Sequence, residues 1–269
     1  MCEQLDVKCQ GDIVETWVMP AQGVAGRSPV VYMVGNAYGV LPYIHTMADV
    51  ITCHGYAAVF CNFRGQGGSG GTLSVSNATE DLAAVIEVCQ AHLAIDVTQQ
   101  VMLAQCTGTY AALEYLVNRK NRLVKALAIY GLVFMPTKVK QRALMLMAEH
   151  KVRWDPDAVD WEYDPCRAIS KLRVPTLLTH ALDERNLSRS SLHEILTVYS
   201  YVRDGQLTLL QQGYDVGEHP RSLFEEWWAV FQTWFDRRLA RHHAVHEPSL
   251  PVSMTVTQRA QPARAGGEH

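Results

Sequence analysis

Residues 101–113 read Val101-Met102-Leu103-Ala104-Gln105-Cys106-Thr107-Gly108-Thr109-Tyr110-Ala111-Ala112-Leu113. An apolar run breaks at small residues and resumes as an Ala- and Leu-rich stretch with helical spacing, which is how a strand-turn-helix junction reads. Cys106 falls in the turn. A residue forced into a tight, partly left-handed turn leaves no room for bulk two positions to either side, so such nucleophile elbows usually read Gly-x-Ser-x-Gly. Here Ala104 and Gly108 take the small positions and a thiol replaces the hydroxyl. Alone, A-Q-C-T-G favours a plain core cysteine, because an unbridged cysteine packs as a small hydrophobe and this chain has seven. The rest of the chain reverses that reading by supplying, in order, the other parts an elbow needs.

Upstream, Pro29 to Val34 is a continuous apolar run, as expected of a strand buried on both faces. It ends in the loop Gly35-Asn36-Ala37-Tyr38-Gly39. A helix is expected from about Tyr43 to Cys53, and Gly55 to Phe60 reads as the next strand. That strand runs into Asn62-Phe63-Arg64-Gly65-Gln66-Gly67-Gly68-Ser69-Gly70-Gly71. Leu5 to Pro20 alternates apolar and polar residues around Gly11-Asp12, which predicts an antiparallel hairpin at the sheet edge. Ala78 to Leu93 reads as an amphipathic helix with Leu82, Val85, Ile86, Val88 and Cys89 inward.

Downstream, the elbow helix continues to about Asn118, and Leu123 to Phe134 is another buried strand. From Pro136 to Lys171 the pattern loosens into a helical, Met- and Trp-containing insertion (Leu144, Met145, Met147, Trp154, Trp161), too short for a domain and suited to a lid. Strands resume at Val174 to His180 and Gln206 to Gln211, and Leu223 to Leu239 is an apolar terminal helix. This alternation predicts an α/β domain, a mostly parallel sheet flanked by helices on both faces, over residues 1–240 with a lid at about 136–172. Residues 241–269, with three prolines, two glycines and little periodicity, read as a disordered tail.

Composition narrows the function. The 269 residues are 48% apolar and 19% charged, ordinary for a soluble globular protein. A net charge of −3 gives no electrostatic case for nucleic acid or an acidic membrane surface. Seven cysteines without paired spacing argue against a disulfide framework and for a reducing compartment, and no C-x-x-C pair suggests zinc. The N-terminus lacks a basic and apolar leader, and no run reaches membrane-spanning length, so a cytoplasmic protein is expected. The glycine-rich loop lacks the Lys-Ser/Thr of a phosphate-binding loop and opens no helix directly, so it reads as a structural turn. No cofactor is implied.

The order of parts resembles the α/β-hydrolase fold over roughly residues 5 to 240. The resemblance rests on Gly35-Asn36-Ala37, the glycine-rich loop, the elbow, Val174-Pro175-Thr176-Leu177-Leu178-Thr179-His180, and Gly217-Glu218-His219 before the final helix. Within the fold, the cysteine nucleophile and Tyr38-Gly39-Val40-Leu41-Pro42-Tyr43-Ile44-His45 followed by Ala48-Asp49 are similar to the dienelactone hydrolase family. The resemblance implies a base in the loop after the last strand, where His219 is the only one of eleven histidines. It implies a carboxylate after the penultimate strand, where Asp183 and Glu184 are adjacent. Register with the family's V-P-x-x-x-x-x-G-x-x-D, Ala181 standing in the glycine place, selects Glu184; the commoner residue type favours Asp183 after a one-residue slip. The oxyanion hole would use the backbone N–H of Thr107 and one from the loop after the first parallel strand, Ala37 or Asn36. Tyr38, Gln105, Met145 and Trp154 are expected at the substrate, with ordinary lid packing as the alternative for the last two.

A thiol near its usual pKa is mostly protonated at neutral pH, so it needs a base or cation beside it. Once acylated it is a thioester, which amines, carbanions and other thiols attack readily relative to water. The expected activity is therefore acylation of Cys106 by an acyl thioester, ester or lactone, free or carrier-protein-bound, with release by hydrolysis or cyclisation, as in Cys-type thioesterases and Dieckmann-type cyclases. Dienelactone-like hydrolysis is the runner-up. Readings from other classes are a small-ligand receptor without turnover and a structural partner protein; a binder has no reason to keep a complete triad. The oligomeric state stays open.

Overall fold

A computed structural model describes residues 2–40, 42–118, 123–132, 148–155, 164–182, 191–210, 221–239 and 255–258. Nine strands form one sheet: β1 (Glu3–Cys9), β2 (Asp12–Met19), β3 (Ser28–Val34), β4 (Ala57–Cys61), β5 (Ile95–Gln105), β6 (Val124–Tyr130), β7 (Thr176–Ala181), β8 (Gly205–Leu210) and β9 (Thr255–Gln258), ordered β1-β2-β4-β3-β5-β6-β7-β8-β9. From β4 to β8 every neighbouring pair is parallel; β1, β2 and β9 pair antiparallel at the two ends. Among the described residues no helix is long and apolar enough to cross a membrane.

Strand β3 shows why the Pro29 to Val34 run is apolar throughout. Val30, Tyr32 and Val34 face one core with residues of α2 (Val75–Gln90), α3 (Gly108–Asn118), α4 (Pro165–Ile169) and α5 (Leu192–Tyr199). Val31 and Met33 face a second core with α1 (Pro42–Cys53) and α6 (Arg221–Arg238), where Phe224, Trp227, Phe231 and Phe235 are buried. Successive side chains of a strand point to opposite faces, so a strand covered on both sides has no place for polar residues.

The helix boundaries follow local capping. Helix α2 starts at Val75, ahead of the Ala78 start read from periodicity, because the Ser74 side chain accepts from the Asn77 N–H at 2.9 Å. Helix α5 was not read from the sequence, although Ser191-x-x-Glu194 is a reciprocal capping box that signals its start.

One segment departed from expectation. The stretch read as a disordered tail contributes β9, which pairs with β8 from Thr208↔Thr255 to Gly205↔Gln258. A four-residue strand is too short to stand out as periodicity, and the open edge of β8 supplies the backbone partners that hold it. Of the insertion expected as a lid, residues 136–147 and 156–163 lie outside the described residues. The part that is described returns onto the glycine-rich loop. The Arg153 N–H donates to the Gly65 carbonyl at 2.8 Å, the Leu73 N–H to the Arg153 carbonyl at 2.7 Å, and the Asp155 N–H to the Leu73 carbonyl at 3.1 Å. Gly65 is required at this seam, because a Cβ there would come within 2.3 Å of the Arg153 carbonyl oxygen at a φ of +85°. Residues 153–155 thus rest on the glycine-rich loop through three backbone hydrogen bonds.

Candidate active site

The register of the sheet sets the elbow. Val34 pairs with Ala104 and Tyr130 with Gln105, so β3, β5 and β6 end together and Cys106 leaves the sheet between them. Cys106 has φ 52°, a left-handed conformation that costs an L-residue about 1–2 kcal/mol and that few non-glycine residues adopt. Three bonds hold the turn. The Cys106 N–H donates to the Tyr130 carbonyl at 3.2 Å, and the N–H groups of Thr109 and Tyr110 donate to the carbonyls of Cys106 and Thr107 at 3.1 and 3.0 Å. All seven cysteines lie among the described residues and none is in a disulfide; Cys106 is half-buried.

Gly108 explains the small-residue rule in atoms. A Cβ there would sit 1.8 Å from the Gly35 carbonyl oxygen and 2.5 Å from that of Val34. Both obstacles are backbone, so α3 or the end of β3 would have to move. Gly108→Ala is expected to destabilise the protein by about 2 kcal/mol or more, measured by chemical unfolding, against the gain that Gly→Ala normally brings inside a helix. A neutral or stabilising result would contradict the close approach of α3 to β3.

The loop after β3 faces the elbow and is tightly bonded. Asn36 Oδ1 accepts from the Tyr38 N–H at 2.7 Å, and Asn36 Nδ2 donates to the Tyr43 hydroxyl. That hydroxyl in turn donates to Gln105 Oε1 at 3.4 Å. The Asn36 carbonyl accepts from Gln66 Nε2 at 2.9 Å. With the side chain of Asn36 engaged in shaping the loop, the backbone donors remain. Among the described residues neither the Ala37 N–H nor the Thr107 N–H meets an acceptor.

Ala37 and Thr107 line the same cleft, about 440 Å³ of empty space partly open to solvent. Its polar lining residues are Asn36, Gln66, Ser74 and Thr107; the rest of the lining is largely apolar, including Phe63, Leu73, Val75, Ala78, Tyr110 and Trp154. Trp154 is held there by the seam with Leu73 described above. Tyr38 is half-buried, with its ring 5.1 Å from that of His150. Gln105 is buried and lines a separate small cavity with Met33, Met47 and Tyr130. Among the described residues no group of His, Cys, Asp and Glu is arranged to hold a metal ion.

No family profile matches the chain, and no curated protein matches it in sequence. Solved structures do match. The alpha/beta hydrolase GrgF from a Penicillium species superposes with a TM-score of 0.67 at 11% identity over 89% of this chain and 99% of its own. The chain has the α/β-hydrolase fold. DcsB, solved in complex with its substrate analogue, matches with a TM-score of 0.67 at 12% identity over 89% of this chain and all of its own. A Klebsiella pneumoniae protein assigned as a dienelactone hydrolase matches with a TM-score of 0.66 at 14% identity, covering 88% of this chain and 98% of its own.

In an α/β-hydrolase fold, Cys106 stands at the strand-to-helix elbow and Ala37 on the loop opposite, as the sequence predicted. His219, Asp183, Glu184 and Met145 lie outside the described residues. The sequence reading passed over two residues that organise the site, Gln66 and Tyr43. Gln66 was visible as a single long polar side chain between Gly65 and Gly67, where a plain turn would not need one. Tyr43 carried no such signal, since its apolar ring suits the start of a buried helix equally well.

Proposed function

We propose that this chain is a cysteine-nucleophile acyl-transfer enzyme. The observation that carries this reading is the left-handed Cys106 at the β5–α3 junction, next to Thr107, which lines a cleft together with Ala37; among the described residues neither the Ala37 nor the Thr107 N–H meets an acceptor. The thiolate attacks the carbonyl carbon of an acyl thioester, ester or lactone, forming a C–S bond while the carbonyl oxygen gains the negative charge. The two N–H groups stabilise that oxyanion. Collapse expels the thiol or alcohol, which takes the proton that His219 removed from Cys106. Water, or a hydroxyl or carbanion within the acyl chain, then attacks the thioester and returns the thiol.

The apolar walls of the cleft suit a hydrophobic acyl chain, as a mostly apolar pocket with a few convergent polar groups does generally. Trp154→Ala is expected to raise KM about tenfold for octanoyl donors and to change it less than twofold for acetyl donors, because only the longer chain reaches the indole. Equal effects on both would place the acyl chain elsewhere.

The reading is tested by intact-protein mass spectrometry after incubation with acyl N-acetylcysteamine thioesters and activated esters, with free acid and cyclised product followed in parallel. A mass increase equal to the acyl group supports acyl transfer, and the ratio of acid to cyclised product separates hydrolase from cyclase. Turnover of lactones with no thioester turnover would favour the dienelactone-hydrolase-like alternative. Binding without any adduct or turnover would favour a receptor.

A further inference from the structure

We propose that Gln66 is a positioning residue that aims the Ala37 N–H into the oxyanion hole, and this rests on the acyl-transfer reading above. Gln66 is 1% exposed and sits in the glycine-rich loop after β4, on a different segment from both Cys106 and the loop of Asn36 and Ala37. Its amide is bonded at both ends. Oε1 accepts from the Phe63 N–H at 2.9 Å, and Nε2 donates to the Asn36 carbonyl at 2.9 Å. The orientation is forced by the partners: a backbone N–H can only donate and a carbonyl can only accept, so the amide cannot be turned over.

The Asn36 carbonyl and the Ala37 N–H belong to one peptide unit. Among the described residues no peptide is cis, so the two groups point in opposite directions from the same rigid plane. Fixing the carbonyl on Gln66 therefore fixes the N–H on the other side. That N–H has no acceptor among the described residues, and Ala37 lines the cleft shared with Thr107. A buried donor left without a partner is costly unless it serves something that arrives. The bond from Gln66 keeps the peptide from rotating to satisfy the N–H elsewhere. The glycines beside it have a matching reason: a Cβ on Gly65 would meet the Arg153 carbonyl, so the lid seam and the Gln66 anchor are built by one loop.

The test uses Gln66→Leu and Gln66→Glu. Leucine removes both bonds. Glutamate keeps the acceptor for Phe63, but its ionised carboxylate cannot donate to the Asn36 carbonyl and repels it. Both variants are expected to lose about 10- to 100-fold in kcat for acyl thioester turnover with KM within threefold of wild type. The affinity for an acyl trifluoromethyl ketone, whose carbonyl Cys106 converts to a hemithioketal oxyanion, should fall in parallel. For Gln66→Glu the deficit relative to wild type should shrink as pH falls, because a protonated carboxyl regains the donor. A kcat within threefold of wild type in both variants overturns the proposal. So does a rise in KM alone, or a loss of thermal stability with ketone affinity intact. A wild-type protein that neither turns over a donor nor binds the ketone overturns the acyl-transfer reading and this proposal with it, whereas an active wild type with indifferent variants overturns only the role of Gln66.

Discussion

Cys106→Ala is expected to abolish the acyl adduct and to lower kcat/KM at least about 10⁴-fold, with thermal stability nearly unchanged. Alanine keeps the small side chain that suits the left-handed turn while removing the sulfur proposed to bond to the substrate. Cys106 has φ 52°, so a larger replacement would confound the test by disturbing the turn. Some catalysis over water would survive, because the N–H groups of Ala37 and Thr107 still polarise a bound carbonyl. Cys106→Ser separates nucleophile from scaffold: a hydroxyl is far harder to ionise than a thiol, and a hydrogen-bonding geometry suited to sulfur leaves it short of the carbonyl. A loss of at least about a hundredfold is expected. Full activity in the serine variant, or an adduct of the same mass in the alanine variant, would remove Cys106 from the chemistry.

His219→Ala is expected to produce the next largest loss, about 10³- to 10⁵-fold in kcat/KM. The thiol is mostly protonated at neutral pH without a base, and the leaving group needs a proton back. The companion measurement concerns the carboxylate. Of Asp183→Asn and Glu184→Gln, one should lower kcat by about 10²- to 10⁴-fold and the other by less than threefold, since adjacent side chains cannot both reach one imidazole. Equal and mild effects would place the acid elsewhere. If His219→Ala kept wild-type rates, the base would have to come from another histidine, and the assignment by chain order would fail.

Much of this was readable from residues because steric rules are local. Pro29 to Val34 is apolar without alternation, and the structure buries Val31 and Val30 on opposite faces. Ala104-Gln105-Cys106-Thr107-Gly108 announces the elbow, and the 1.8 Å approach of a Gly108 Cβ to the Gly35 carbonyl shows why. What sequence could not supply was long-range pairing. Gln66 matters through the carbonyl of Asn36, thirty positions away by hydrogen bond, and nothing in either residue's neighbours points to the other. The strand β9 is chosen by the open edge of β8 rather than by its own four residues. The choice between Asp183 and Glu184 hangs on a single-residue register, which no periodicity fixes.

The strand Thr255–Gln258 has a further consequence for handling the protein. A sheet that ended at β8 would present a row of bare backbone donors and acceptors, and such a row recruits whatever strand is near, including the same row on a second molecule. Trimming the chain at residue 240 as dispensable tail would therefore trade a four-residue border strand for the longer, six-residue edge of β8. Shortened protein should self-associate through β8 at concentrations where the full chain does not, if the short strand Thr255–Gln258 acts as a selvedge on the longer edge beneath it.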